Sequence, residues 1–242
     1  MKKHTMNYLN KLYSYLLLSL ISILFVNAHP ATIKQDIDWP QFMSQQDMIW
    51  EKLPEYWYDS AFLGNGKLGL MIYKEPGKNY LRLETGNCDV HDHRTKRDVF
   101  GIPRLLTGHF ALHPKGKIIN GTMHLDLWNA EVSTDITTTK GVIHLRSFVH
   151  ADEMMIIVKA TTEGDEHDFQ WEWIAAEANS PRYLIFKRQG KANKIPKDYE
   201  LNPTAKISNG KEINLSVQKL LAGGETSIGW QETHNPETER TL

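Results

Sequence analysis

The densest run of chemically capable side chains is ETGNCDVHDHRTKR, residues 84–97. Within it Glu84, Asn87, Asp89, His91, Asp92, His93 and Arg94 can accept from and donate to the hydroxyl groups of a ligand. An extended backbone would put His91 and His93 on one side with Asp89. Three such ligands on one face are enough for an open zinc-type site. A surface loop that only makes hydrogen bonds is the plainer reading, and no metal or other cofactor is assigned. Cys88 is the single cysteine. It has no evident base beside it and reads as a small buried hydrophobe. It excludes an internal disulfide and a multi-cysteine zinc site.

Two other groups of residues can meet ligands. Trp171 and Trp173 alternate with Gln170, Glu172 and Ile174, so both rings share one strand face. Such a pair can stack on a ring-shaped ligand, but more often fills a core; Glu172 then points outward. Trp57 and Trp128 stay undecided between the two roles. The stretch PRYLIFKRQGKANKIPK, residues 181–197, is rich in Lys and Arg. It could meet an anion, although a solvated face is the commoner use of such a run.

The loop of residues 84–97 needs rigid elements behind it, and the sequence supplies strands. Lys67 to Tyr73 (KLGLMIY), Tyr80 to Glu84 (YLRLE), Thr122 to Trp128 (TMHLDLW), Val142 to Val149 (VIHLRSFV), Met154 to Ala160 (MMIIVKA) and Phe169 to Ile174 (FQWEWI) read as strands. Several alternate apolar with polar residues, the period of a strand with one buried face. Tyr183 to Lys187, Ile213 to Val217 and Ser227 to Trp230 are weaker candidates. Turn signals such as Glu75-Pro76-Gly77, Asn120-Gly121, Lys140-Gly141 and Gly223-Gly224 separate the runs. Before them, a brief helix is expected within Gln41 to Lys52, confined by Pro40 and Pro54. The pattern predicts an all-β fold, an antiparallel β-sandwich over residues 61–233.

Gly64-Asn65-Gly66, followed by Gly69, is the sharpest local motif. The first three residues tolerate a tight turn into the next strand. Gly69 inside that strand leaves room for a bulge or a close neighbour. No Lys-Ser/Thr ending or following helix makes it a phosphate loop.

The 242 residues carry 28 Lys and Arg against 29 Asp and Glu, a net charge of −1. That balance argues against a nucleic-acid partner bound through many phosphates. Lys2, Lys3 and Lys11 precede the apolar run YLLLSLISILFV, which ends at Val26 before Asn27-Ala28. This is the pattern of a cleaved signal peptide over residues 1–28, the run being shorter than the about 20 residues of a membrane span. An uncleaved anchor is the alternative. Residues 29–60 form a lead segment, and residues 234–242 read as a tail without strand or cap and as a truncation point. Export without disulfides suits a bacterial periplasm or secretion, and no membrane association is expected after cleavage.

The order of motifs resembles the opening of glycoside hydrolase family 95, the α-L-fucosidase-like enzymes, or a neighbouring six-hairpin glycosidase family. The resemblance runs from Trp50 to Thr161. It is carried by Ala61-Phe62-Leu63-Gly64-Asn65-Gly66-Lys67-Leu68-Gly69, then Leu81-Arg82-Leu83-Glu84, then the strand-like Leu125-Asp126-Leu127-Trp128-Asn129-Ala130, and lastly Ser147-Phe148-Val149-His150-Ala151 before an apolar strand. It implies a supersandwich-type N-terminal domain, non-catalytic by itself, that packs on a helical (α/α)6 barrel holding the acid and base carboxylates. No catalytic residue is therefore expected in this chain. The implied partners are an oligosaccharide or glycan and that barrel. Glu84, Asn87, Asp89, His91, His93 and Arg94 become candidates to touch sugar at the rim of the barrel's pocket. A stand-alone carbohydrate-binding sandwich is the alternative, and an envelope β domain without a sugar site is a third.

Overall fold

The computed structural model describes residues 36–92, 103–221, 223–234 and 240–241, together with Tyr13 and Tyr15. The chain divides after Asp38, and the strands all belong to the unit from Trp39 onward. The expected signal peptide and truncation point lie outside the described residues, Tyr13, Tyr15 and a few terminal positions aside.

The fold is an antiparallel β-sandwich with a small third sheet. The strands are β1 (Met48–Trp50), β2 (Ala61–Gly64), β3 (Leu68–Lys74), β4 (Leu81–Asn87), β5 (Gly108–His113), β6 (Ile118–Asp126), β7 (Glu131–Thr138), β8 (Gly141–Val149), β9 (Ile156–Gly164), β10 (Gln170–Ala175), β11 (Lys206–Asn209), β12 (Asn214–Lys219), β13 (Glu225–Trp230), β14 (Thr233–His234) and β15 (Arg240–Thr241). One sheet has the order β1-β6-β7-β8-β9-β15-β14, the second β10-β5-β4-β3-β2, the third β11-β12-β13.

Alternation along each strand decides what lies between the two large sheets. Ile72, Leu83, Phe110 and Trp173 stand in one cross-strand row of the five-stranded sheet. Leu125, Val132, Ser147 and Val158 form a row of the seven-stranded sheet. Leu70, Ile72, Leu81, Leu83 and Leu112 meet Met123, Leu125, Val132, Ile136, Ile143 and Leu145 in one apolar cluster. Full burial of each such side chain stabilises by about 1.5–3 kcal/mol.

The glycine block closes the β2–β3 turn and joins the sheets. Gly66 has φ +90°, in the left-handed region that glycine enters without strain. The Asn65 carboxamide oxygen accepts from the Lys67 and Leu68 amides at 3.0 and 2.8 Å. Its Nδ2 donates to the carbonyls of His150 and Glu153, in the β8–β9 turn of the other sheet, at 2.9 and 3.1 Å. Gly69 needs no bulge: a Cβ there would meet only ordinary contacts with the Leu63 and Gly86 carbonyl oxygens.

Several expectations change. The helix near the start covers Trp39–Ser44 and stops, and Met48–Trp50 pairs with β6 instead of continuing it. Leu53 is buried in the core, so the sandwich takes in part of the expected lead segment. Tyr183 to Lys187 is not a strand but part of the helix Pro181–Arg188. Ser180 caps that helix by accepting from the Arg182 amide, and Pro181 suits its first turn. The run Thr122 to Trp128 leaves the strand at Asp126, and Asn129-Ala130 turns into β7, Ala130 having φ 51°. The stretch that reads as one strand through Ala130 is therefore a hairpin. In the tail, β14 and β15 pair with each other, and β15 with β9. An open sheet edge offers backbone partners to any extended segment, which needs no apolar pattern of its own.

Candidate functional site

The loop singled out in the sequence does not form one site. Glu84 points to the outer face of the five-stranded sheet, because Leu83 and Thr85 on either side point inward. Asn87 Oδ1 accepts from the Asp89 amide, a turn-closing bond at 2.8 Å. Asp89 is exposed and accepts the Cys88 thiol at 3.5 Å. Cys88 is half-buried, not the enclosed hydrophobe expected, since β4 has ended at Asn87 and the turn lies at the surface. His91 bridges to Arg104 through its backbone, while Asp92 is buried and its amide donates to Pro103 O at 2.9 Å. His93 and Arg94 lie outside the described residues. No cluster of three metal-ligating side chains occurs among the described residues.

Glu84 instead joins a polar layer that no pattern in the sequence announces. Tyr73, Arg82, Glu84 and His109 come from β3, β4 and β5, and Glu84 faces His109 in the ladder. The Tyr73 hydroxyl donates to Glu84 Oε2 at 2.6 Å. Arg82 Nε lies 3.3 Å from Glu84 Oε2, and Arg82 Nη1 donates to Glu75 at 2.9 Å. Burial, then the Glu84 carboxylate, pushes the Tyr73 phenol well above its ordinary value. Burial, then the Arg82 charge, lowers the His109 imidazole to about 4. His109 is therefore neutral at pH 7, stacked beside Tyr80 at 6.3 Å. Its Nε2 is buried without a hydrogen-bond partner. The helix Pro181–Arg188 flanks this layer and leaves a cleft of about 390 Å³.

A second surface is aromatic. Between Pro54 and β2 the chain makes a single 3-10 turn, Trp57–Asp59. Besides the turn's own backbone bonds, Trp50 Nε1 donates to Asp59 O at 2.8 Å, Ser60 Oγ to Trp57 O at 2.7 Å, and the Lys74 amide to Pro54 O at 2.8 Å. A fixed backbone here turns rings outward. Tyr56, Trp57, Tyr58 and Phe62 are 49, 62, 62 and 57% exposed. Tyr56 and Tyr58 stack at 5.2 Å with planes 4° apart, and Trp57 meets Tyr58 edge-on at 5.7 Å. They line an open groove of about 1650 Å³, whose rim carries Glu51, Lys52, Glu55, Asp59 and Asn120. That exceeds the about 300–1,000 Å³ of small-molecule pockets, so it suits an extended ligand.

Trp171 packs on the core and Trp173 is buried in it, while Glu172 projects outward to His113 at 3.0 Å. Among the described residues the exposed tryptophans are Trp39, on the first helix, Trp57, at the groove, and Trp128, half-exposed on the β6–β7 hairpin. The run Tyr56-Trp57-Tyr58 is the available signal: three aromatics in a segment too short to bury them. No family model matches this chain, and no curated protein matches it either.

Proposed function

We propose that this chain is the non-catalytic β-sandwich of a secreted or periplasmic bacterial glycoside hydrolase, contributing to carbohydrate degradation beside a helical catalytic barrel. Its own task is to hold a glycan chain. The observation that carries this reading is the aromatic groove. Four exposed rings sit on a rigidly bonded segment beside carboxylate, ammonium and amide groups. Aromatic faces stack on the apolar faces of sugar rings, and the rim groups pair with their hydroxyls. Preorganised rings bind without ordering a loop first, which spares conformational entropy. The antiparallel sandwich fold supports this reading. Acid and base groups for hydrolysis belong to the barrel in this reading, so the chain alone is expected to leave aryl glycosides intact.

The same groove favours a second reading, a carbohydrate-binding module that works without a barrel, because the bonds that fix its aromatic turn run to Trp50 and Lys74 of the same sandwich. Calorimetry against a panel of neutral and acidic oligosaccharides tests both. Saturable binding with a dissociation constant from micromolar to millimolar is expected, weakened about tenfold or more by Trp57→Ala. No binding across the panel, or binding indifferent to Trp57→Ala, overturns the glycan assignment. Robust aryl-glycoside turnover by the chain, abolished by Glu84→Gln, overturns its non-catalytic role.

A further inference from the structure

The basic run of residues 181–197 is not used by the groove, yet the fold carries part of it to the polar layer around Glu84. We propose that the cleft between that layer and helix Pro181–Arg188 is a separate site for a small hydroxylated carboxylate, of the size and chemistry of one uronic acid residue.

The cleft's dimensions come first. At about 390 Å³ it lies near the lower end of ligand pockets. It admits one sugar residue and not a chain. Its floor presents Glu84 and His109, with Ile174 and Ala175 beside them. Its wall presents Leu184, Lys187 and Arg188. These three are spaced i, i+3 and i+4, so one helix face turns both cations toward the floor.

Charge accounting then points to an anion. Glu84 is met by the Tyr73 hydroxyl and Arg82, and Arg82 is met by Glu75 as well. Lys187 stands 5.7 Å over the Tyr183 ring and has Glu177, a carboxylate that also lines the cleft, at 3.9 Å, a loose contact between exposed groups, so the surplus charge of the wall is that of Arg188. The Arg188 guanidinium has no acidic partner among the described residues; its Nε donates to Leu184 O at 3.3 Å. The wall therefore offers cationic capacity that the floor does not consume. Arg and Lys together hold a carboxylate well, the guanidinium by paired N–H bonds.

The floor selects for hydroxyls. Glu84 accepts from them, and neutral His109 can donate or accept according to its tautomer. His109 is 7% exposed; its Nε2 is enclosed and unpaired, at a cost in free energy, so a ligand reaches that nitrogen only after a small movement of the ring. Ile174 and Ala175 can face the apolar side of a sugar ring. A carboxylate at the wall and a hydroxyl edge at the floor use every one of these groups.

Titration of the full chain with D-glucuronate, D-glucose and inorganic phosphate, read by the His109 imidazole resonances, tests the site. Glucuronate is expected to shift them saturably, with glucose about tenfold weaker or worse. The double variant Lys187→Gln with Arg188→Gln, both exposed and so neutral to folding, is expected to weaken glucuronate by about tenfold or more. His109→Phe is expected to weaken both sugars. Trp57→Ala should change none of this, which separates the cleft from the groove. The proposal falls if glucuronate does not bind, if glucose binds equally, or if the double variant binds like the parent. Phosphate matching glucuronate at the same resonances also overturns it, as general attraction of anions.

Discussion

Asn65 satisfies four backbone groups with one carboxamide, two in its own turn and two across the sandwich. Its two ends can be separated by substitution. Aspartate keeps an oxygen for the Lys67 and Leu68 amides but cannot donate to the His150 and Glu153 carbonyls. Asn65→Asp is expected to destabilise the domain by about 1–3 kcal/mol in denaturant unfolding, because it leaves carbonyls unpaired and adds a charge beside them. Asn65→Ala removes both ends and should cost at least as much. Equal stability of Asn65→Asp and the parent would show that the link across the sheets contributes nothing. Neighbouring Gly66, at φ +90°, explains why Gly and Asn alternate here: the turn must reverse tightly so that Asn65 faces outward to the second sheet. The motif is legible in sequence as a turn. Its reach across the sandwich is not, since nothing in residues 64–69 names the partner turn at His150.

At the scale of elements, legibility follows burial of one face. β3, β4, β6, β8 and β10 are readable from the alternation of their apolar residues, and β9 from a short continuous apolar run. β5, GHFALH, escapes that test because both its faces are covered: His109 and Ala111 on the outer side are as buried as Leu112 on the inner. β7, EVSTDITT, carries only two apolar residues on its buried face, Val132 and Ile136, with Thr134 between them. Helix Pro181–Arg188 reads as a strand because YLIFK has strand-like residues, and the competing cap signal is the short pair Ser180-Pro181. That signal decides the structure, since Ser180 is fully buried and a proline at the helix start removes no needed donor. Ser180→Ala is therefore expected to cost about 1 kcal/mol of stability. It should also raise amide exchange through residues 182–188, and Ser180→Gly should cost less. Unchanged exchange in this helix would show that packing of Leu184, not the cap, holds it. The candidate site is half-legible for the same reason: Glu84 sits on a readable strand, whereas its partners Tyr73 and His109 come from strands that only tertiary pairing brings beside it.

The whole molecule combines a tightly packed sandwich with a lightly held third sheet. Every residue of β11 is exposed, and β12 buries only Ser216 and Gln218. The attachment is local. Gln218 Nε2 donates to the Pro203 and Glu177 carbonyls at 2.7 and 3.4 Å, and Asn202 Oδ1 accepts from the Leu221 amide at 2.9 Å. Trp230, at the end of β13, meets Phe110 and Trp173 at 5.9 and 6.0 Å, joining the small sheet to the rim of the main core. Segments with few buried apolar contacts open more often than the core and exchange their amides sooner. Amides of β11–β13 should thus exchange well before those of β6–β8, whose inward residues are almost fully enclosed. Each aromatic pair adds about 0.5–1.5 kcal/mol beyond its buried area. Losing both pairs in Trp230→Ala should accelerate exchange in β11–β13 by about tenfold to a hundredfold, 1.4 kcal/mol being about a factor of ten. The β6–β8 amides should stay unchanged under native conditions. If Trp230→Ala instead raises exchange evenly across all three sheets, the small sheet folds as part of the sandwich and Trp230 belongs to the common core.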